Sequence, residues 1–404
     1  MSNSSDLEVV TVLPWQDDEE ALRGIRCSLQ DFPLFAWTTP EQIRKVRSPV
    51  RIRLDSGGGF HLLGDAGGIL HLDNRGRPIG RTPLLNRNGR TVDYVCDTTR
   101  HCVLLEQFED EGRQFNRLRR LDPSGAENWS RVGPTRQTDL DFNNLAGSFS
   151  KLLLDEGRAL YLSTERHGPD VAEINSETGK VRRTLRQNEG AGVPFLAVGR
   201  LYSVFFDPQT NRRGISVLDP SGRVSSQLFD GSEHFAWLVY PFGVDNHSWL
   251  YAWRNGRVAR LSAQGQIQEL GTMDSVAVRA LDRMAFTSHV GLDGIVVEGA
   301  GATITLSAPS DFRLVHVDGQ GRYYLLGGEA PDKPGELRVY SRDGLLESST
   351  SPPENLHAIE NRLPTYDAWQ VDPQGRVTST ITMPEGVASV RSRSRSVSDT
   401  QQRG

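Results

Sequence analysis

A short turn signature recurs along this chain about every 45 residues. It consists of an apolar strand, an Asp or Asn, a polar spacer, a Gly and a second strand. The glycines of the signature are Gly76, Gly125, Gly179, Gly222, Gly265 and Gly375, with a weaker copy at Gly344. A fixed period of this kind indicates repeated supersecondary units that bury their apolar faces only by stacking on one another. The feature constrains the architecture, and it leaves the function open.

Each unit also has an upstream hairpin, so the repeat contains four strands. The clearest hairpins occupy residues 50–64, 92–105, 151–163 and 312–326. Apolar and polar residues alternate on both sides of an Asp-led turn, which is the pattern of half-buried strands. Asp bonds to the backbone two residues on, and Gly adopts a positive φ without steric cost. The turn residues therefore need no ligand to explain them.

The repeats predict an all-β fold, a seven- or eight-bladed β-propeller of four-stranded blades. The seven nearly complete units begin near Val50, Thr91, Lys151, Pro194, Val239, Ser275 and Phe312. The last hairpin, residues 367–383, needs partners, which the apolar strands at 7–13 and 33–37 can supply. We therefore expect the ring to close through pairing of N- and C-terminal strands. We expect four aspartates to occupy equivalent outer hairpin turns: Asp73, Asp122, Asp219 and Asp372.

The repeats also define the expected domain organisation. Residues 1–49 are predicted to form a strand and helix segment that packs on the ring, with the helix at 16–30. The propeller spans residues 50–384. Residues 385–404, with Arg–Ser steps at 391–396, are predicted to be a disordered tail. Such a tail is either a solvated end without a role, a segment that binds an acidic partner, or a site of phosphorylation.

Composition narrows the class of protein. No apolar run approaches the length of about 18 residues that crosses a bilayer, and the first residues lack the pattern of a signal peptide, so a cytoplasmic protein without a membrane span is expected. Cys96 and Cys102 flank the first turn of the second unit and could face each other across that hairpin, whereas Cys27 has no nearby partner. All three are interpreted as free thiols of a reducing compartment, and no CxxC or Cys/His metal spacing is present. The net charge of −5 disfavours nucleic-acid binding.

The turns LDPSGRV and INSETGK resemble those of NHL, quinoprotein-type (PQQ-like) and SMP-30/gluconolactonase-like propellers, and the resemblance covers residues 50–384. Quinoprotein blades carry a docking Trp after the TGK turn, but here Arg182 and Arg183 follow it. The chain is similar to the gluconolactonase-like enzymes in size and blade style. That resemblance implies a divalent metal held by Glu, Asn and Asp in the central channel. Fold alone does not carry function.

Oxygen-bearing side chains are the candidates for such a metal site, because Ca²⁺ and Mg²⁺ prefer oxygen ligands. They lie in the loop before the third unit and within that unit: Asp139, Asp141, Asn143, Asn144, Glu165 and Asp170. No family motif aligns with them, and a solvated polar loop is the preferred interpretation of each one.

Histidines offer the remaining catalytic option, since a His positioned by a carboxylate can act as a general base near neutral pH. His167 and His234 lie in predicted top-face loops, with Glu165 and Glu233 as orienting groups, and His289 follows the second strand of the sixth unit. The chain has no nucleophile elbow, P-loop or HExxH motif.

The sequence thus predicts a non-catalytic β-propeller binding or scaffold module, alone or within a larger assembly. Its top-face loops are expected to bind a protein or a small ligand without a cofactor, because long loops on a rigid ring are where such folds place recognition. The alternative is a metal-dependent hydrolase, lactonase or lyase of the SMP-30/gluconolactonase-like type, with Ca²⁺ or Mg²⁺ as its cofactor.

Overall fold

The fold was obtained from a computed structural model of the chain. The structure describes residues 7–14, 51–64, 68–85, 89–135, 141–145, 149, 151–155, 159–163, 170–186, 194–197, 200–219, 221, 223–228, 241–254, 257–262, 264–272, 276–299, 301–328, 335–350, 370–383 and 386–392.

In this part of the chain, strands form eight four-stranded antiparallel sheets. Sheet 1 contains β2 (Arg51–Leu54), β3 (Phe60–Gly64), β4 (Gly68–Leu72) and β5 (Pro78–Pro83). Sheet 2 contains β6 (Arg90–Cys96), β7 (Cys102–Asp110), β8 (Arg113–Leu121) and β9 (Glu127–Pro134). Sheet 3 contains β10 (Lys151–Leu154), β11 (Ala159–Ser163), β12 (Asp170–Asn175) and β13 (Val181–Arg186). Sheet 4 contains β14 (Phe195–Ala197), β15 (Arg200–Asp207), β16 (Arg212–Leu218) and β17 (Val224–Leu228).

The remaining sheets follow the same plan. Sheet 5 contains β18 (Pro241–Val244), β19 (Leu250–Arg254), β20 (Arg257–Leu261) and β21 (Ile267–Thr272). Sheet 6 contains β22 (Val276–Arg279), β23 (Met284–Val290), β24 (Ile295–Gly299) and β25 (Ala302–Leu306), with a one-turn 3₁₀ helix at Ala280–Asp282. Sheet 7 contains β26 (Arg313–Val317), β27 (Tyr323–Gly327), β28 (Glu336–Tyr340) and β29 (Leu346–Thr350). Sheet 8 combines β1 (Leu7–Pro14) with β30 (Gln370–Val371), β31 (Val377–Met383) and β32 (Gly386–Ser392).

Eight four-stranded antiparallel sheets fit the blades of an eight-bladed β-propeller. Sheets 1–7 each follow chain order, whereas sheet 8 has the order β1-β32-β31-β30. In sheet 8, Leu7 pairs with Ser392 and Pro14 with Gly386. The predicted pairing of N- and C-terminal strands is therefore confirmed. The predicted strand at 33–37 and the helix at 16–30 lie outside the described residues.

The C-terminal strand corrects one sequence prediction. Residues 386–392 were expected to belong to a disordered tail, but they form β32, between β1 and β31. Val387, Ala388 and Val390 are buried there, and the Arg391 guanidinium pairs with Glu8 and donates to the carbonyl of Asn74. The Arg–Ser composition concealed an alternating strand whose apolar residues had a partner at the other end of the chain. Residues 393–404 lie outside the described part.

The turns of a four-stranded sheet alternate between its two ends. We call the end that joins the first and second strands the first-turn end, and the opposite end the second-turn end; the third turn returns to the first-turn end. Asp73, Asp122 and Asp219 occupy third turns, as predicted, and each accepts the backbone N–H groups two and four residues on.

Asp372 makes the same turn at a different place. It joins β30 to β31, and β30 contacts the first strands of sheets 1 and 5. It therefore occupies a first turn, and its prediction as an outer turn was wrong. The hydrogen bonds within a turn determine its shape, but not which two strands of the sheet it joins.

Buried apolar clusters lie between sheets and show which sheets are neighbours. Separate clusters join sheet 1 to 2, 2 to 3, 3 to 4 and 4 to 5. Sheet 5 then packs directly on sheet 8, where the Asn246 N–H donates to the carbonyl of Pro373. Sheet 8 also packs on sheets 1 and 6, and sheet 6 packs on sheet 7. The sheets therefore do not neighbour one another in simple chain order.

The cysteines provide a further correction. Cys96 ends β6 and Cys102 begins β7, as directly opposed residues, and they form a disulfide across the first turn of sheet 2. The interpretation of these two as free thiols was wrong, because the hairpin register brings them face to face. Cys27 lies outside the described residues.

Candidate functional site

Of the residues proposed from the sequence, only some lie in the described part of the chain. Asp139, Glu165, His167, Glu233 and His234 lie outside it. Asp170 begins β12, where its backbone pairs with Arg186, and His289 lies exposed on β23. The structure brings Asp141, Asn143 and Asn144 together in the connection between sheets 2 and 3.

The Asp141 carboxylate serves its own loop. One carboxylate oxygen accepts the backbone N–H groups of Asn143, at 2.9 Å, and of Asn144, at 3.3 Å. The other accepts the Asn144 side-chain amide. The Asn143 carbonyl in turn accepts a bond from Arg131 at 3.0 Å. A calcium ion at Asp141 would have to compete with these bonds, which form an Asx turn.

A more concentrated set of chemical groups lies between sheets 1 and 2. His61 on β3 and His71 on β4 are cross-strand partners, and both face Cys96 at the end of β6. One ligand atom from each lies within 4.8 Å of the others, and all three residues are buried. We call His61, His71 and Cys96 the histidine–cysteine centre. It lies at the first-turn end, next to the disulfide.

Hydrogen bonds fix the two imidazole rings. Their Nδ1 atoms lie 2.7 Å apart, so one ring donates and the other accepts. His61 Nε2 faces the Asp55 carboxylate at 3.3 Å, and His71 Nε2 faces the Thr82 hydroxyl at 2.8 Å. A carboxylate accepts only, so His61 carries its proton on Nε2 and accepts at Nδ1. His71 then donates from Nδ1 and accepts the Thr82 hydroxyl proton at Nε2.

The first turn of sheet 1 holds the carboxylate that orients His61. One Asp55 oxygen accepts the N–H groups of Gly57 and Gly59, both at 2.8 Å, which leaves the other oxygen to face His61. A Cβ on Gly59 would lie 2.7 Å from that second oxygen, so glycine gives the carboxylate its room. The DSGGG sequence thus builds a turn and positions an imidazole at the same time.

The electrostatics of the centre keep the His71 imidazole neutral. Burial, with the charges of His61 and Arg100, lowers the pKa of His71 to about 3. For Asp55, burial opposes ionisation, but the hydrogen bonds from His61, Gly59 and Gly57 outweigh it and lower the pKa. An ionised Asp55 thus lies near a neutral His71 imidazole inside the fold.

A buried carboxylate next to this centre connects three sheets. Asp93 on β6 is 1% exposed. One of its oxygens pairs with the Arg53 guanidinium of sheet 1, with Nε at 3.1 Å. The other oxygen accepts the backbone N–H of Leu152 in sheet 3 at 2.8 Å. Asp93 therefore satisfies buried donors on both neighbours of its own sheet.

A second kind of site lies at the second-turn end of sheets 6 and 7. A cleft of about 400 Å³ is lined by the second turn of sheet 6, residues 290–294, by the connection at residues 307–310, and by Arg338. Val290 and Leu292 are exposed on its rim, Leu292 completely. Arg338 is held by Glu336, with Nε 2.8 Å from the carboxylate, and lies over the Phe312 ring.

The sequence pointed to loops, and it missed the histidine–cysteine centre. The sequence did contain a signal for the two histidines. In a hairpin formed by the segments FHLLG and GILHL, side chains alternate between the two faces, so His61 and His71 fall opposite each other on the same face. The partnership with Cys96 depends on how sheet 2 stacks on sheet 1. No spacing rule within one segment contains that information.

No protein-family model matches the chain, and neither does any curated protein sequence. Solved structures similar to it are those of propeller-type proteins. Virginiamycin B lyase from Staphylococcus aureus, an inactive variant with quinupristin, is 11% identical, with a TM-score of 0.38 over 84% of this chain and 93% of that one. Kuenenia stuttgartiensis hydrazine synthase is 11% identical, with a TM-score of 0.41 over 86% of this chain and 96% of that one. Chaetomium thermophilum Raptor is 10% identical, with a TM-score of 0.36 over 86% of this chain and 28% of that one.

No helix in the described ranges has both the length and the apolar character that a bilayer crossing requires.

Proposed function

We propose that this protein is a non-catalytic binding module whose second-turn end receives a short apolar segment of a partner protein in the cleft between sheets 6 and 7. The observation that supports the proposal best is Leu292, a completely exposed leucine at the rim of that cleft. Exposed apolar groups that flank a concave surface are typical of binding sites.

The turn that carries Leu292 is rigid. The Gly291 N–H donates to the Gly294 carbonyl at 2.7 Å, which closes the turn. Gly294 has φ 141°, and a Cβ there would lie 2.1 Å from the carbonyl oxygen of Leu306. The turn is thus pressed against β25. Because the backbone of this turn is already ordered, covering Leu292 costs mainly the rotamer freedom of its side chain, which favours binding.

The lining of the cleft indicates the class of partner. Val290 and Leu292 offer apolar contact, while Ser307 and Ser310 offer hydroxyl groups at the cleft wall. The volume of about 400 Å³ is at the lower end of the range for ligand sites, which suits one or two side chains of a peptide. Asp293 adds an exposed carboxylate to the lining, and Arg338 lies at the wall as a cation already paired with Glu336.

A peptide-display selection on the immobilised full-length protein tests this function. We expect selected peptides to carry an apolar side chain and to lose at least tenfold in affinity with Leu292→Asp. The matched control is Leu281→Asp, another highly exposed leucine, at the first-turn end of the same sheet, which should bind as the wild type does.

Two results of that experiment count against the proposal. The first is a selection that yields no binders above background. The second is a set of binders whose affinity Leu292→Asp leaves unchanged, which would move recognition away from the cleft. The free energy of unfolding of each variant is measured alongside, so that a misfolded variant is not mistaken for a loss of binding.

A further inference from the structure

The histidine–cysteine centre presents three metal-binding donors in a prepared arrangement. Two imidazole nitrogens and one sulfur lie within 4.8 Å of one another in a buried space. The far nitrogen of each ring is already engaged, His61 by Asp55 and His71 by Thr82. Metal-binding histidines are oriented in this way, with the second ring nitrogen bonded to a carboxylate or another polar group.

We propose that His61, His71 and Cys96 bind one zinc ion between sheets 1 and 2 when the Cys96–Cys102 disulfide is reduced. Imidazole nitrogen and thiolate sulfur are the donors that zinc takes in proteins. In the oxidised chain the Cys96 sulfur is bonded to Cys102 and offers no thiolate, so the donor set is incomplete. Reduction is therefore the step that creates the site.

The chemistry balances with a dithiol as the reductant. The dithiol gives two electrons and two protons to the disulfide, which becomes two thiols, while the dithiol becomes a disulfide. Zinc then displaces the proton of the Cys96 thiol, which leaves to solvent. The His71 proton moves from Nδ1 to Nε2, where the Thr82 hydroxyl accepts a hydrogen bond from it. Cys102, freed by the same step, is close enough to provide a fourth ligand.

Only a small movement is needed. Tetrahedral zinc with bonds of about 2.0–2.1 Å to nitrogen sets its two nitrogen ligands about 3.3 Å apart. The two Nδ1 atoms now lie 2.7 Å apart on neighbouring strands. The rings must therefore separate by roughly half an ångström, a shift that a change of ring tilt supplies.

The proposal changes which parts of the molecule are cross-linked. In the oxidised state, Cys96 is bonded within its own hairpin, to Cys102. In the reduced, zinc-bound state, Cys96 is linked through the metal to His61 and His71 of the neighbouring sheet. The centre would then act as a redox-dependent link between sheets 1 and 2, independent of the cleft at the other end of the molecule.

Metal titration of the full chain tests the proposal. Cys27 is replaced by Ser throughout, so that only Cys96 and Cys102 carry sulfur for ligation. We expect protein reduced with a phosphine to bind one zinc per chain at least 100-fold more tightly than oxidised protein. Cobalt in place of zinc should give the visible absorption of a tetrahedral thiolate complex. Zinc should raise the melting temperature of the reduced protein by several degrees, and a chelator should reverse this.

Variants separate a ligand role from a structural one. Cys96→Ser and His71→Gln should abolish binding, whereas His101→Gln, a partly exposed histidine near the same turn, should not. Cys102→Ser is the gain-of-function variant: it cannot form the disulfide, so it should bind zinc without any reductant. Reduced wild type that binds no zinc, or a natively folded Cys102→Ser that binds none, overturns the proposal, whatever the folding of the other variants.

Discussion

The interface between sheets 1 and 2 and the interface between sheets 6 and 7 use the same architecture for different chemistry. The first places polar groups inside: the histidine–cysteine centre, and the Arg53–Asp93 pair beside it. The second is built from aromatic and aliphatic residues, among them Phe286, Phe312 and Tyr340. It leaves apolar residues outside, since five of the eight large exposed hydrophobic residues in the described ranges belong to sheets 6 and 7.

This difference teaches how a repeated fold acquires distinct sites. An apolar cluster packs at each interface, and the unusual residues are additions to that shared packing. Buried histidines and an ion pair cost desolvation energy, and apolar residues at the surface gain nothing from folding. Polar groups that are buried thus identify a candidate metal centre at one interface, and apolar groups that are exposed identify a candidate recognition surface at the other.

The largest effect is expected from Asp93→Ala. The substitution removes the carboxylate that pairs with the mostly buried Arg53 guanidinium and that accepts the Leu152 N–H, and removing one partner of a buried ion pair costs about 3–5 kcal/mol. Chemical denaturation gives the free energy of unfolding. Glu127→Ala is the control, because its pair with Arg117 is partly exposed, and such pairs contribute about 0–1 kcal/mol. Equal losses in the two variants would show that Asp93 does not anchor the polar interface.

The second effect is a pH dependence that comes from one buried histidine in sheet 7 and one in sheet 1. Burial lowers the pKa of His316 in sheet 7 to about 4, against a weaker attraction from Asp318, just as burial lowers that of His71. The unfolded chain, with its histidine pKa near 6.5, therefore binds more protons than the folded one between about pH 4 and 6.5. Stability that is present above this window is lost as the pH falls through it.

Each such histidine contributes on the order of 1–3 kcal/mol across that window. We expect His316→Gln to reduce the slope of unfolding free energy against pH, and His316→Gln with His71→Gln to reduce it further. Urea denaturation at several pH values between 4 and 7 provides the measurement. A slope that neither substitution changes would mean that groups other than these two histidines dominate acid unfolding.

Much of the fold was predictable because its turns are local. In each of the turns at Asp73, Asp122 and Asp219, one side-chain oxygen accepts the backbone N–H groups two and four residues on. Five consecutive residues therefore determine the turn. The same locality explains the error at Asp372, whose turn is identical in its bonds but lies at the inner edge of its sheet. The rank of a strand depends on partners that lie far away in the chain.

The candidate sites were less predictable for the same physical reason. The Cys96–Cys102 disulfide follows from the register of one hairpin, and β32 from a strand that pairs with the other end of the chain. The histidine–cysteine centre needs two sheets to stack before its donors meet. Sequence periodicity gives each sheet its faces, but it does not say which faces of neighbouring sheets meet.

A third prediction compares two tyrosine hydroxyl groups. The Tyr94 hydroxyl donates to the His61 carbonyl at 2.7 Å and accepts the Leu63 N–H at 3.2 Å, so it joins sheets 1 and 2. The Tyr340 hydroxyl donates to the Ser307 carbonyl, at 2.7 Å. Removing it with Tyr340→Phe should cost about 1 kcal/mol, and Tyr94→Phe should cost more, about 2 kcal/mol. Denaturation in guanidinium chloride ranks the pair, and the reverse order would contradict the greater polar dependence of sheets 1 and 2.

The smallest effect should come from the exposed leucines of sheet 6. Leu281 and Leu292 are 83% and 105% exposed, so unfolding exposes almost no further apolar surface at either position. Replacing either with Ser should therefore change the free energy of unfolding by less than about 0.5 kcal/mol. A loss above about 1 kcal/mol with Leu292→Ser would mean that this side chain is packed in solution. Leu292 would then belong to the core, and the cleft would no longer offer it as an exposed apolar group for recognition. The contrast between the two interfaces would fail there.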